Sequence, residues 1–260
     1  MTQKILSFSG RKQSGKNTCC NLLIGFEMVS LGLTSHFKIK NGQLWVNDIL
    51  GDNENNQGIF DVTDRRPVMK EFLSRHLDPF IKIYSFADLL KRNICMDVLG
   101  LTESQCYGTD EEKNTETQIS WGDIPIPNKQ VKAKKLTARE VMQYVGTDIF
   151  RKMYPNVWVD ATIRKIQQEG SMMALICDCR FPNEVEGIQN VGGKVVRLTR
   201  NSGDSDGHSS EVALDENQYD WNNFDAVIDN SNLSLSEQNK AVYDTLKSFG
   251  WLDFDVLEEK

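Results

Sequence analysis

The chain has 260 residues, 39% of them hydrophobic and 26% charged, which supplies a core and excludes a collagen-like or wholly disordered protein. Thirty lysines and arginines against 37 aspartates and glutamates give a formal charge of −7, which argues against a broad nucleic-acid footprint but leaves room for a local cationic pocket. The longest uninterrupted apolar run, Met172 to Cys177, is far short of the roughly 20 residues of a membrane helix.

A single domain over residues 1–260 is expected, near the upper size for one core. The N-terminus, MTQKILSFSG, enters a strand without an export signal, so the cytoplasm is the expected compartment. Cys19, Cys20, Cys95, Cys106, Cys177 and Cys179 contain no CxxC pair and read as reduced thiols. His36, His76 and His208 lie far apart, and nothing in the spacing suggests structural zinc.

In chain order, β-type segments fall at residues 4–8, 80–85, 172–177, 194–198 and 225–229. Most are apolar on both faces and helical patterns separate them, the signature of a parallel sheet covered on two sides. After the first strand, Cys19, Leu22, Leu23 and Phe26 form a helical stripe. Leu90, Ile94 and Val98 repeat the pattern after the second. Residues 38–66 and 103–135 are polar and turn-rich, and read as insertions or small subdomains at the rim. Within them Lys129, Lys132, Lys134 and Lys135 form a basic run that reads as a solvated face. Thr137 and Glu140 form a capping box for a helix whose stripe is Ala138, Val141, Met142, Val145 and Ile149. The same spacing sends Arg139, Gln143 and Thr147 to other faces. Pro155 opens a further helix ending near Gly170. Residues 199–210, TRNSGDSDGHSS, form a candidate mobile lid. A last helix runs from Ser234, boxed with Glu237, towards Gly250.

Four stretches carry chemistry. Gly10-Arg-Lys-Gln-Ser-Gly15-Lys16-Asn17-Thr18 stands between a strand and a helix, where GxxxxGK curls backbone N–H groups around phosphates and the lysine reaches the outer ones. The hydroxyl usual after the lysine comes one place late, at Thr18, so a magnesium ion would be held by it directly or through water. Cys177-Asp178-Cys179-Arg180-Phe181-Pro182-Asn183-Glu184 ends the most apolar strand. There Asp178 suits magnesium or its waters, Arg180 suits the charge of a phosphoryl group in flight, and the cysteines read as packing residues. Ser85-Phe86-Ala87-Asp88-Leu89-Leu90-Lys91-Arg92 offers Asp88, Lys91 and Arg92 at a helix start for clamping a monophosphate. Arg200, with Asp206, His208 and Glu211 beyond it, lies in the lid and would reach the phosphates on closure.

Together with AREVMQYVGTDIFR, VWVDA, DGHSSE and DAVIDN, these stretches make the chain resemble the deoxynucleoside monophosphate kinases of tailed bacteriophages, within the P-loop nucleoside monophosphate kinases. The resemblance implies an α/β, P-loop NTPase-like three-layer fold: a five-stranded parallel sheet with helices on both faces, plus the inserted polar segments. It implies ATP bound by Gly10, Lys12, Ser14, Gly15, Lys16, Asn17 and Thr18 with Arg200, catalysis by Lys16, Arg180 and Asp178, and Mg²⁺ at Thr18 and Asp178. The substrate deoxynucleotide would meet Asp88, Lys91, Arg139, Gln143 and Thr147, with Trp158 against its base or sugar and Arg180 and Glu184 lining the pocket. Trp158 as a core aromatic is the competing reading. The family usually carries aspartate where this chain has Asn17. Small-molecule nucleotides are the expected partners, without nucleic acid or membrane, and the insertions are a candidate face for a homodimer. Two other functions fit the same loop: a kinase for another small metabolite, and a regulatory nucleotide-binding protein without turnover.

Overall fold

The computed structural model describes residues 3–47, 57–120, 122, 134–201 and 212–251. The chain divides into two compact units, Met1–Tyr84 with Ile166–Lys260, and Ser85–Lys165. The elements in order are β1 (Lys4–Ser9), α1 (Lys16–Ser30), β2 (Phe37–Lys40), β3 (Gln43–Asn47), β4 (Gln57–Ile59), α2 (Pro67–His76) and β5 (Ile81–Tyr84). Next come α3 (Phe86–Leu89), running on as a π-helix over Leu90–Val98, then α4 (Glu103–Tyr107), α5 (Asp110–Lys113), β6 (Glu116–Ser120) and β7 (Lys135–Thr137). The helix α6 (Ala138–Gln143) continues as a second π-helix, Tyr144–Arg151, and is followed by α7 (Val157–Glu169). Last are β8 (Met173–Cys179), α8 (Pro182–Asn190), β9 (Lys194–Leu198), β10 (Ala226–Ile228) and α9 (Leu235–Ser248).

All five strands expected from the sequence form, and they make one sheet in the first unit, ordered β10-β9-β1-β8-β5 with every pair parallel. Parallel strands put their carboxyl-end loops on one edge, and β1 is central, so the loop after Gly10 opens between the ends of β8 and β9. Leu6, Phe8, Leu175, Val196 and Leu198 share a core cluster with Cys19, Leu22 and Leu23 of α1 and Val242 and Leu246 of α9. The alternate residues Ile5, Ala174, Ile176 and Val195 are buried too, which is why these strands read as continuous apolar runs. Each such leucine or phenylalanine taken out of water contributes on the order of 1.5–3 kcal/mol. The result is the expected α/β arrangement, consistent with a P-loop NTPase-like fold.

Two expectations are corrected. First, Cys20 of α1 and Cys177 of β8 are joined as a disulfide across 157 residues, whereas the sequence suggested only reduced thiols. Packing α1 on the sheet brings together two residues that no spacing rule pairs. Cys19, Cys95, Cys106 and Cys179 are buried thiols.

Second, two apolar stripes fail at their ends: Val98 is 72% exposed and Ile149 is 42% exposed. Both lie where the helix becomes π-helical, and a ladder closing on i+5 shifts a stripe spaced for 3.6 residues per turn off the core face. Gly146 sits where these π segments meet, since a Cβ there would stand 2.5 Å from Leu90 Cδ2.

The segment read as a polar insertion or small subdomain from residue 38 contains a three-stranded antiparallel sheet, β2-β3-β4. Asn41 and Gly42 turn its first hairpin at φ 52° and 75°, the positive pair of a type I′ turn. Residues 48–56, 121, 123–133 and 202–211 lie outside the described residues, and with them most of the candidate lid, Lys129, Lys132, Asp206, His208 and Glu211. Lys134 and Lys135 are exposed. No helix among the described residues is long and apolar enough to cross a membrane.

Candidate functional site

The loop from Gly10 to Gly15 leaves β1 through an unusual backbone. Gln13 takes φ 62° and Gly15 φ 102°, left-handed values that aim successive N–H groups to one side. At Gly10 a Cβ would stand 2.3 Å from Ser14 Oγ, so only glycine lets the loop close on itself. Gly15 is also the N-cap of α1 and supplies no side-chain cap. The first turn's N–H groups and the helix dipole therefore face whatever fills the loop. Lys16 is 7% exposed and its Nζ donates to the carbonyls of Gly10 (2.7 Å) and Arg11 (2.6 Å). The ammonium thus closes the ring of the loop. Lys12 and Asn17 are exposed, Ser14 is fully buried, and Thr18 Oγ1 lies 3.0 Å from where a Cβ on Gly42 would stand.

Beside the loop, β8 carries a bulge. Ser7 of β1 faces Ile176 and Ser9 faces Cys179, so Cys177 and Asp178 share the place opposite Phe8. Bulges re-aim side chains at sheet edges, and this one sets Asp178 next to the root of the loop. Glu184 is 1% exposed, and its Oε2 accepts from the backbone N–H of Arg180 (2.7 Å) and Phe181 (3.1 Å). That carboxylate shapes the turn presenting Arg180. Burial, with Glu184 and Asp178 nearby, pushes the Cys179 thiol well above its ordinary range. Burial likewise lifts Cys19 to about 12, against the pull of Arg200 and Lys16. Both remain neutral packing groups at physiological pH.

On the other flank, Arg200 follows β9. Its backbone N–H donates to Asn230 Oδ1 (2.8 Å), and its guanidinium to the carbonyls of Asn230 (3.1 Å) and Leu233 (2.8 Å). The sequence reading did not find the groups below it. Arg197 is 4% exposed, donates to Ser9 Oγ at 3.1 Å and lies 5.3 Å from the Trp221 ring. Burial and the nearby Arg11 lower its pKa, while Asp215 opposes that shift. Asp215 also receives Arg11 Nε at 3.0 Å. Arg11, Arg197, Thr199, Asn201, Asp215 and Trp221 help line a cleft of about 530 Å³. A buried Arg in a strand of valines and a distant Asp give no local pattern, so only the fold shows them.

The remaining expected residues belong to the second unit. Asp88 accepts from Tyr107 Oη at 2.5 Å and Lys91 Nζ stands 4.9 Å from the same ring, so Tyr107 joins the two. The Ser85 side chain caps α3 by accepting from Ala87 N–H. Arg139 Nε donates to Asn114 Oδ1 (3.0 Å) and its Nη2 to Asp110 Oδ1 (2.7 Å). Gln143 and Thr147 are exposed. Trp158 is 6% exposed, packs against Phe150 and donates its indole N–H to the Gly146 carbonyl at 3.1 Å.

Comparison with known proteins bears on this loop and its neighbours. The family described as Deoxynucleotide monophosphate kinase matches residues 4–240. A protein of Acanthamoeba polyphaga mimivirus named "Putative deoxynucleotide monophosphate kinase" is 31% identical over 143 residues, covering 50% of this chain and 67% of that one.

Proposed function

This chain belongs to the deoxynucleotide monophosphate kinase family, and on that premise we propose that it transfers the γ-phosphoryl group of ATP, with Mg²⁺, to a deoxynucleoside 5′-monophosphate. The products are ADP and the deoxynucleoside diphosphate. The observation that carries the donor half is the strand–loop–helix unit whose left-handed turns and helix start surround Lys16 Nζ.

The acceptor oxygen needs no strong base, because the second pKa of a phosphate monoester is about 6 and the attacking group is already anionic near neutrality. The chain's task is positioning and charge neutralisation. Gly15 and the first turn of α1 offer N–H groups to the donor phosphates, and Lys16 exchanges its bonds with Gly10 and Arg11 for phosphate oxygens. Arg180, set by Glu184, neutralises the transferring group. Thr18 and Asp178 supply a hydroxyl and a carboxylate, an oxygen set that fits Mg²⁺, which commonly keeps several waters and takes only one or two protein ligands. When bound, that ion would spread the negative charge of the phosphates. Asp88, Lys91, Arg139, Gln143 and Thr147 are the proposed acceptor contacts.

Initial rates of ADP release with each of the four common deoxynucleoside monophosphates and their ribose counterparts test the reading. Release that requires a deoxynucleoside monophosphate supports it. Release that proceeds equally without one, or only with an unrelated metabolite, rejects it.

A further inference from the structure

Behind the phosphate loop lies a buried polar network whose two amide side chains have no part in the roles assigned above. Asn230, just past β10, is 0% exposed, and Gln238, on the second turn of α9, is 1% exposed. Asn230 Nδ2 donates to the Ser14 carbonyl (2.8 Å) and to Gln238 Oε1 (2.7 Å), while its Oδ1 accepts from the Arg200 backbone N–H (2.8 Å). Both donor hydrogens and the acceptor are therefore occupied. Gln238 in turn donates to Cys19 Sγ at 3.6 Å, and its amide lies 3.0 Å from where a Cβ on Gly15 would stand.

The geometry has a consequence for the loop. A trans peptide points its C=O and N–H in opposite directions. Anchoring the Ser14 carbonyl on the buried side thus turns the Gly15 N–H towards the open side, where the donor phosphates are expected. The same asparagine holds Arg200 twice, through its side-chain oxygen and through its backbone carbonyl.

We infer that Asn230, supported by Gln238, is a positioning residue for the phosphoryl donor, setting the Ser14–Gly15 peptide and the root of Arg200 from one buried point. The inference rests on the donor site being the loop at Gly10–Thr18. Asn230 touches no reacting atom; it acts through Gly15 and Arg200. A buried amide with all its bonds made also resists being shifted, because each bond left unmade leaves a desolvated polar atom.

The test uses the full chain and Asn230→Asp, Asn230→Ala and Gln238→Ala variants, with folding checked by circular dichroism. Binding of a nonhydrolysable ATP analogue is measured by calorimetry, and both KM values by initial rates. Asn230→Asp keeps the acceptor for Arg200 and loses both donors, so it breaks the ties to Ser14 and Gln238 together, while Gln238→Ala removes the Gln238 tie alone. Weaker analogue binding by about 10-fold or more, with a matching rise in donor KM and an unchanged acceptor KM, is expected for both Asn230 variants, and a smaller rise for Gln238→Ala. A structural role alone would lower the folded fraction and leave the donor KM of the remaining enzyme as it was. Folded Asn230→Asp protein with wild-type analogue affinity, or equal changes in both KM values, overturns the inference while leaving the donor site in place. Wild-type protein that fails to bind the analogue overturns both.

Discussion

Replacing Glu184 with alanine tests whether this carboxylate builds the turn beside the loop. It is 1% exposed and one of its oxygens receives two backbone N–H groups, those of Arg180 and Phe181. Truncation leaves two donors unpaired, each costing about 1–3 kcal/mol when water cannot reach it. A loss of about 2–6 kcal/mol follows. In a domain of 150–250 residues that corresponds to a fall in Tm of roughly 4–24 °C at 2–4 °C per kcal/mol. Glu184→Gln keeps an oxygen in place and loses only the charge assistance, so its loss is expected below about 2 kcal/mol. Thermal unfolding of the three proteins, followed by far-ultraviolet circular dichroism, supplies the comparison. Glu184→Ala melting within about 2 °C of wild type would show that the turn does not depend on this group, and the reasoning that it presents Arg180 would fail.

Other outcomes follow from equally local contacts. Gly15→Ala introduces a Cβ at φ 102° and 3.0 Å from the Gln238 amide, so donor KM should rise at least about 10-fold with the fold retained; an unchanged KM contradicts the assigned loop geometry. Gly146→Ala places a Cβ 2.5 Å from Leu90 Cδ2 and should cost about 1–3 kcal/mol. Leu90→Val should recover part of that loss, and strict additivity in thermal melts would refute the contact. Burial alone would raise the carboxyl of Asp225, but the donors Gln189, Lys194 and Val195 N–H outweigh it and hold it below the usual carboxylate range. Its stabilisation is therefore present above the unfolded pKa of about 3.9 and lost as pH falls through the lower folded value. The Tm difference between wild type and Asp225→Asn should narrow below about pH 4, and a pH-independent difference would contradict the assignment.

The sheet was legible because its signal is local: a run such as Met173–Ile176 declares a strand buried on both faces without help from the rest of the chain. The capping boxes at Thr137 and Ser234 were legible for the same reason, each being complete within four residues. The π-helical turns were hidden, since the i, i+4, i+8 spacing of Leu90, Ile94 and Val98 describes an α-helix well. The Asn41-Gly42 hairpin carried a recognisable turn signal that the polar composition around it obscured. Asn230, Gln238, Arg197 and Asp215 could not be found from spacing at all. Asn230 meets Ser14 across 216 residues, and Arg11 meets Asp215 across 204. The residues of the Gly10–Thr18 loop announce themselves in one string, whereas the groups that hold the loop come from wherever the sheet order brings them.

The most direct measurement is a crystal structure of the protein with a nonhydrolysable ATP analogue. The account predicts the outer phosphates within hydrogen-bond distance of the Gly15 and Lys16 amides, with Lys16 Nζ moved from the Gly10 and Arg11 carbonyls onto phosphate oxygen. Analogue density away from residues 10–18, or a Lys16 still bonded to those two carbonyls beneath a bound analogue, would contradict it.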